Sequence, residues 1–212
     1  EVSGSSIDYY GNWKALHYQA KRAFEPILIN PLQQNDSLSV YLLSDKLEDM
    51  EQMTLEMKVI SFDGKKLGKP MQLKSLIIPA NTSRCIYQSK LDACVPAGER
   101  QHSFMKLILK DKSGRNVAET VHFFAKTKDL LLPDTNISYK MKQTDGKCEL
   151  TLSAGSLAKD VFIEIPLQGA RFSDNFFDLL PGERKTITIT SPQIKKGEEL
   201  PMTLKHIRET YN

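Results

Sequence analysis

From Ile27 onward the chain reads as short apolar–polar runs broken by turn residues, and this punctuation limits its fold more than any other feature. Leu55, Met57 and Val59 alternate with polar neighbours, as do Met105, Leu107 and Leu109. A period of two places such residues on one face of a strand. Strands are expected over 27–30, 37–43, 53–62, 70–78, 83–89, 103–110 and 117–126. A second series follows over 137–142, 148–154, 161–166, 170–172, 185–190 and 202–207. Asp63-Gly64, Ser113-Gly114 and Asp145-Gly146 supply hairpin chemistry between neighbouring runs, and Pro181-Gly182 supplies a later corner. About seven strands in roughly a hundred residues is the pattern of a β-sandwich. With 212 residues there is room for two. The stretch Lys128-Asp129-Leu130-Leu131-Leu132-Pro133 marks the join, near residue 128.

The opening segment has a different period. Trp13, Leu16, Ala20 and Phe24 recur at helical spacing with His17 alongside, after Asn12 as the N-cap candidate. Lys14, Gln19, Lys21 and Arg22 fall on the other faces, and Pro26 and Pro31 end helical character. A helix of about 12 residues is marginal in water, so it must dock on something. No neighbouring segment obviously covers its apolar stripe, so Trp13 is expected to pack into a core outside this sequence. The fold class that results is mainly β: two tandem sandwiches preceded by one N-terminal α-helix.

Composition narrows the function classes. The net charge is only +3, and the basic residues occur at most in pairs such as Lys65-Lys66 and Lys195-Lys196. A nucleic-acid surface needs many cations on one face, so that partner is not expected. The sequence holds no run of 18 apolar residues, so no membrane-spanning helix is expected. It shows no signal-peptide pattern, and its first residues read as the middle of a longer chain. Cys85, Cys94 and Cys148 make no metal spacing. The odd count argues against a disulfide framework; a Cys85–Cys94 bridge is the alternative, and buried free thiols are the reading adopted.

Three stretches carry a resemblance. Ser5-Ser6-Ile7-Asp8-Tyr9-Tyr10-Gly11-Asn12-Trp13-Lys14-Ala15-Leu16-His17-Tyr18, continuing through Lys21-Arg22-Ala23-Phe24-Glu25-Pro26, resembles the last loop and helix of the catalytic barrel of family 2 β-mannosidases. Phe123-Phe124 with Lys128-Asp129-Leu130 is similar to the strand and linker joining that family's two C-terminal immunoglobulin-like sandwiches. Arg171-Phe172-Ser173-Asp174-Asn175-Phe176-Phe177-Asp178-Leu179-Leu180-Pro181-Gly182-Glu183 resembles the signature of its terminal immunoglobulin-like domain. The resemblance implies residues 1–24 as a remnant of the barrel, 25–128 as one immunoglobulin-like sandwich and 129–212 as a second, of mannosidase type. The sequence departs from the family at Gly4, where tryptophan is usual.

Retaining glycosidases use an acid/base carboxyl and a nucleophilic carboxylate about 5–5.5 Å apart. In the resembling family both lie on barrel strands upstream of this segment, so no catalytic residue is assigned here. No cofactor-binding residue and no metal ligand is assigned either. Asp174, Asp178 and Glu183 are close in sequence, but their spacing fits no Ca²⁺ loop. A turn at Leu180-Pro181-Gly182-Glu183, with Phe172, Phe176 and Phe177 filling or rimming a core, is the stronger reading. His17, His102, His122 and His206 are not paired at ligand spacing and are read as structural or solvated. Trp13 with Tyr9, Tyr10 and Tyr18 could form a sugar-stacking platform, but a packing role is preferred. N-x-S triplets at Asn35, Asn81 and Asn136 matter only on a eukaryotic secretory route.

The expected role is therefore a non-catalytic C-terminal accessory part of a β-mannosidase. By resemblance, the whole protein would release terminal non-reducing β-D-mannose with retention. The partner implied is the parent's own catalytic barrel, with mannose-containing glycans as a further one. The implied location is periplasmic, extracellular or lysosomal. The alternative is a carbohydrate-binding sandwich using Phe176 or Phe177. A free-standing adhesion module is disfavoured because it leaves the N-terminal helix without a role.

Overall fold

The computed structural model describes Ile7 and residues 13–210. It divides into two compact units, one of residues 25–131 and one combining 1–24 with 132–212.

In the unit of residues 25–131, β1 (Ile27–Gln34), β2 (Ser37–Ser44) and β5 (Thr82–Lys90) form a three-stranded sheet in the order β1-β2-β5. The other sheet runs β4 (Lys66–Ile78), β3 (Met50–Ser61), β6 (Ser103–Lys110), β7 (Asn116–Phe123). Every pairing is antiparallel. The alternation seen in the sequence becomes burial: Leu38, Val40 and Leu42 of β2 face Leu55 and Met57 of β3 and Leu107 and Leu109 of β6 in one core. Each of these side chains is fully buried, and a leucine or methionine so placed stabilises the fold by about 1.5–3 kcal/mol.

Pro31 does not end β1, contrary to the expected 27–30 strand. It sits opposite Val40, and pairing continues to Gln34↔Ser37. Proline lacks an N–H to donate, and β1 is an edge strand, where one side of the backbone needs no ladder bond. At the far end, β7 stops at Phe123 rather than residue 126. Phe124 turns into the core at 3% exposure, and a 3₁₀ turn, Thr127–Asp129, follows.

The turns behave as their residues predict. Gly64, Gly114 and Gly146 all have positive φ. The 111–115 turn is fixed by Asp111, whose carboxylate accepts from the Ser113 hydroxyl and from the amides of Ser113 and Arg115. These bonds, with the Arg115 side chain, hold its pKa down at about 2.

The unit containing residues 132–212 is a second sandwich. One sheet is β11 (Arg171–Phe172), β13 (Arg184–Thr190), β9 (Lys147–Ala154), β8 (Ile137–Thr144). The other is β12 (Phe177–Leu179), β10 (Ala158–Glu164), β14 (Thr203–Lys205). Leu150 and Leu152 of β9 and Ile187 and Ile189 of β13 meet Val161 and Ile163 of β10 and Phe177 and Leu179 of β12. The last strand is only three residues long, and His206 lies beyond it, ahead of a 3₁₀ turn, Ile207–Thr210. Strand β12 is not among the strands expected from the sequence, because three residues are too few to show a period.

The helix α1 (Ala15–Ala23) belongs to this same unit. Its N-cap is Lys14, in an extended conformation without a side-chain cap. Asn12, the expected cap, lies outside the described residues, as do Gly4, Tyr9 and Tyr10.

Candidate functional site

The stretch from Arg171 to Leu179 carries the chain from one sheet of the second sandwich to the other. Arg171 and Phe172 pair with Thr190 and Ile189 of β13. Ser173 prolongs that pairing: its amide donates to the Thr188 carbonyl at 2.8 Å, and its hydroxyl accepts from the Thr188 amide at 2.9 Å. The chain then leaves the sheet, and Asp174 Oδ1 accepts the amide of Asn175.

Asn175, 4% exposed, substitutes for a missing strand. Its Oδ1 accepts from the Ile163 amide at 2.9 Å, and its Nδ2 donates to the Ile163 carbonyl at 2.9 Å. The same Oδ1 accepts from the Phe176 amide at 3.0 Å. Phe176 is thereby held at φ 53°, in the left-handed region that bulky residues avoid at a cost of about 1–2 kcal/mol. Aromatic packing offsets that cost. The Phe176 ring stacks on Phe162 at 5.9 Å and lies 6.0 Å from Tyr18 of α1.

Helix α1 docks on this corner by a face the sequence did not suggest. Arg22 Nη1 donates to Asp174 Oδ1 at 2.7 Å, and Nη2 donates to the Phe176 carbonyl at 2.9 Å. Lys21 Nζ donates to the Ser173 carbonyl at 2.9 Å. Asp174 also pairs through Oδ2 with Lys185 of β13 at 2.9 Å, so one carboxylate joins helix and sheet. Tyr18, 2% exposed, is the apolar anchor. Burial, and secondarily the charge of Asp174, pushes its hydroxyl up to about 12.

The expected stripe of Trp13, Leu16, Ala20 and Phe24 is therefore not the docked face within this chain. Leu16 is 52% and Phe24 86% exposed. Trp13 is half-buried against this sandwich, 5.0 Å from the Arg171 guanidinium and 3.9 Å from the His17 ring. Helical spacing grouped these four residues, but Trp13, expected to pack into a core outside this sequence, packs here beside Tyr18 and Arg171. What the spacing could not supply is the row of backbone carbonyls at Ser173, Asn175 and Phe176, which draws the cationic face instead.

An open cleft of about 510 Å³ lies beside this junction, with Trp13, Tyr18, Ile165, Phe172 and Asn175 among its lining. Its aromatic rings are engaged by neighbouring side chains, as Trp13 is by His17 and Arg171 and Phe176 by Phe162 and Tyr18. The polar atoms of Asn175 are likewise committed to Ile163 and Phe176.

The acids near this corner do not converge. Asp174 serves the helix clamp. Asp178 accepts from the Asp160 amide at 3.0 Å and from Lys159 at 3.3 Å. Glu183 closes a type II turn through its amide to the Leu180 carbonyl at 3.1 Å, with Gly182 at φ 73°. Among the described residues no three His, Cys, Asp or Glu side chains cluster at metal-binding geometry. Phe177 is buried and Phe172 packs against the core, as the packing reading required.

The histidines are spread over separate places. His17 rests on Trp13, and the His102 carbonyl accepts from the Phe62 amide. His122 shares a 2.9 Å hydrogen bond with Gln33 Oε1, and burial lowers its pKa to about 4. His206, 2% exposed, reaches the Thr135 carbonyl through Nε2 at 3.1 Å. The three thiols are free, but only Cys148 is buried, and Cys85 is exposed. The expectation of buried thiols therefore fails at Cys85, which β5 presents to solvent at a sheet edge. Asn35, Asn81 and Asn136 are all exposed.

Comparison with known proteins fits this architecture. Residues 36–129 match the family described as a mannosidase Ig/CBM-like domain, and residues 132–210 match the mannosidase Ig-fold domain. A β-mannosidase of Capra hircus is 27% identical over 99% of this chain, which spans 24% of that protein. The β-mannosidase A of Neosartorya fischeri is 25% identical over 89% of the chain and 22% of its own length. Among solved structures, the β-D-mannosidase of Dictyoglomus thermophilum superposes with a TM-score of 0.76 at 28% identity. That match covers 96% of this chain and 24% of the other. The exo-chitosanase CsxA of Amycolatopsis orientalis shares the fold, with a TM-score of 0.62 at 18% identity, over 95% of this chain and 28% of its own. The chain thus spans about a quarter of the length of the relatives it matches.

Proposed function

We propose that this chain, an accessory segment carrying the two C-terminal immunoglobulin-like domains of the β-mannosidase family, braces the catalytic barrel of a retaining β-mannosidase through helix α1. The observation that carries this reading is the clamp of Lys21 and Arg22 on Ser173, Asp174 and Phe176. It fixes the helix to the second sandwich by its polar face and leaves Leu16 and Phe24 outward. An apolar helix face held outward on a rigid support is suited to a further hydrophobic layer. The barrel, whose last helix this segment resembles, is the layer proposed.

The whole protein would then cleave terminal non-reducing β-D-mannose, with both catalytic carboxyls supplied by the barrel. The terminal sandwich contributes stiffness to the barrel's end rather than groups that touch substrate. The test uses the full parent protein carrying Arg22→Ala and Asp174→Ala together. Hydrolysis of an aryl β-mannoside at 25 °C should change less than twofold, while the half-life at an inactivating temperature shortens several-fold. An unchanged half-life removes the bracing role. In parallel, the 212-residue chain alone should give no turnover of the aryl β-mannoside above blank and no calorimetric heat with mannobiose or mannan.

A further inference from the structure

A second cleft, about 690 Å³ in volume, opens in the first sandwich, where the 97–101 segment meets the end of β7 and the residues after it. Gln33, Arg100, His122, Lys126 and Lys128 line it, with Asp129 as the acid among them. We propose that this cleft binds an oxyanion, the sulfate, phosphate or carboxylate group of a small ligand, with the Arg100 guanidinium as its principal donor.

Three observations carry the assignment. The first is the state of Arg100. One edge of its guanidinium pairs with Asp92 through Nη2, while Nε is buried without an acceptor. A buried N–H with no partner costs about 1–3 kcal/mol. Guanidinium donors are spaced to take two oxygens of one anion. The second is charge. Lys126 and Lys128 are exposed and form no ion pair among the described residues, so with Arg100 there are three cations, against the carboxylates of Asp92, paired with Arg100, and Asp129, and the surplus is positive. Cations of one sign around a recess raise the local concentration of anions.

The third is the opposite wall. Gln33 Nε2 donates to the Phe124 carbonyl at 3.1 Å, and Gln33 Oε1 is held by His122 at 2.9 Å. The Phe124 ring meets the His122 ring edge-on at 5.4 Å. These bonds fix a polar wall, and its imidazole is uncharged at neutral pH because burial holds it near 4. The attraction for an anion therefore comes from Arg100 and the two lysines. The volume lies within the usual range for small-ligand sites, roughly 300–1,000 Å³, which leaves room for a ring or short chain attached to the charged group.

The test is an NMR titration of the full chain with sodium sulfate and, separately, sodium phosphate, at constant ionic strength, with chloride as the control. The Arg100 Nε–H resonance should move saturably with sulfate or phosphate and stay still with chloride. Arg100→Gln should weaken the binding at least tenfold, and the Lys126→Ala, Lys128→Ala double variant about three- to tenfold. A linear drift shared with chloride overturns the assignment, as does saturation unchanged in Arg100→Gln. Should Arg100→Gln fail to fold, the lysine pair decides, because those side chains are exposed; an unchanged affinity there overturns it equally. Titration with acetate then separates a carboxylate preference from a tetrahedral one.

Discussion

At Asn175 a side-chain amide takes the place of a strand, satisfying both backbone groups of Ile163. Asn175→Ala would leave that N–H and carbonyl buried and unpaired, and should destabilise the second sandwich by about 2–4 kcal/mol. Asp174 differs in kind. Its pairs with Arg22 and Lys185 lie near the surface, with the Arg22 side chain 42% exposed, where ion pairs are worth about 0.2–1 kcal/mol each. Asp174→Ala should therefore cost less than Asn175→Ala in urea denaturation, and its cost should shrink in high salt while that of Asn175→Ala does not. His122 supplies a pH dependence. Burial lowers its pKa from 6.5 to about 4, so the unfolded chain takes up a proton at higher pH than the folded one. Stability from this group is complete above pH 6.5 and is lost as pH falls towards 4, by about 3 kcal/mol in all. His122→Gln should flatten that part of the stability–pH curve; an unchanged slope between pH 6.5 and 4 would show that His122 titrates normally.

Among the elements, turns and central strands were legible because their constraints are local. The type II turn at 180–183 needs Gly182 at φ 73°, and a Cβ placed there meets nothing within 4 Å. Gly182→Ala should cost about 1 kcal/mol from backbone conformation alone, read as a lower urea midpoint at constant m-value. Strands such as β3 and β6 alternate over many residues and could be placed within a few positions. The brief β12 could not, since its identity depends on pairing with β10 across the corner. Nor could the docked face of α1 be chosen from its own period, which marks Leu16 and Phe24 as apolar without saying what lies opposite. Being only nine residues long, α1 depends on that docking. A peptide of residues 13–25 should show little helix by circular dichroism.

For the whole molecule, the alternating runs and the turn dipeptides were enough to show a mainly β chain of immunoglobulin-like sandwiches with one helix ahead of them, while the compact units divide between residues 131 and 132. The runs and the turns follow from burial periodicity or backbone conformation within a few residues, which sequence order displays directly. The same is true of the resemblance at 171–183, where the order of residues carries the family likeness. Tertiary structure alone decided which surface of α1 meets the second sandwich, that Asp174 joins Lys185 to Arg22, and that Arg100, paired with Asp92 through Nη2, keeps a buried Nε without an acceptor beside two exposed lysines. Arg22 and Asp174 are 152 positions apart. Contacts across such separations depend on where backbone carbonyls and charges arrive once the sheets have stacked, and no local pattern of residue types records that arrival.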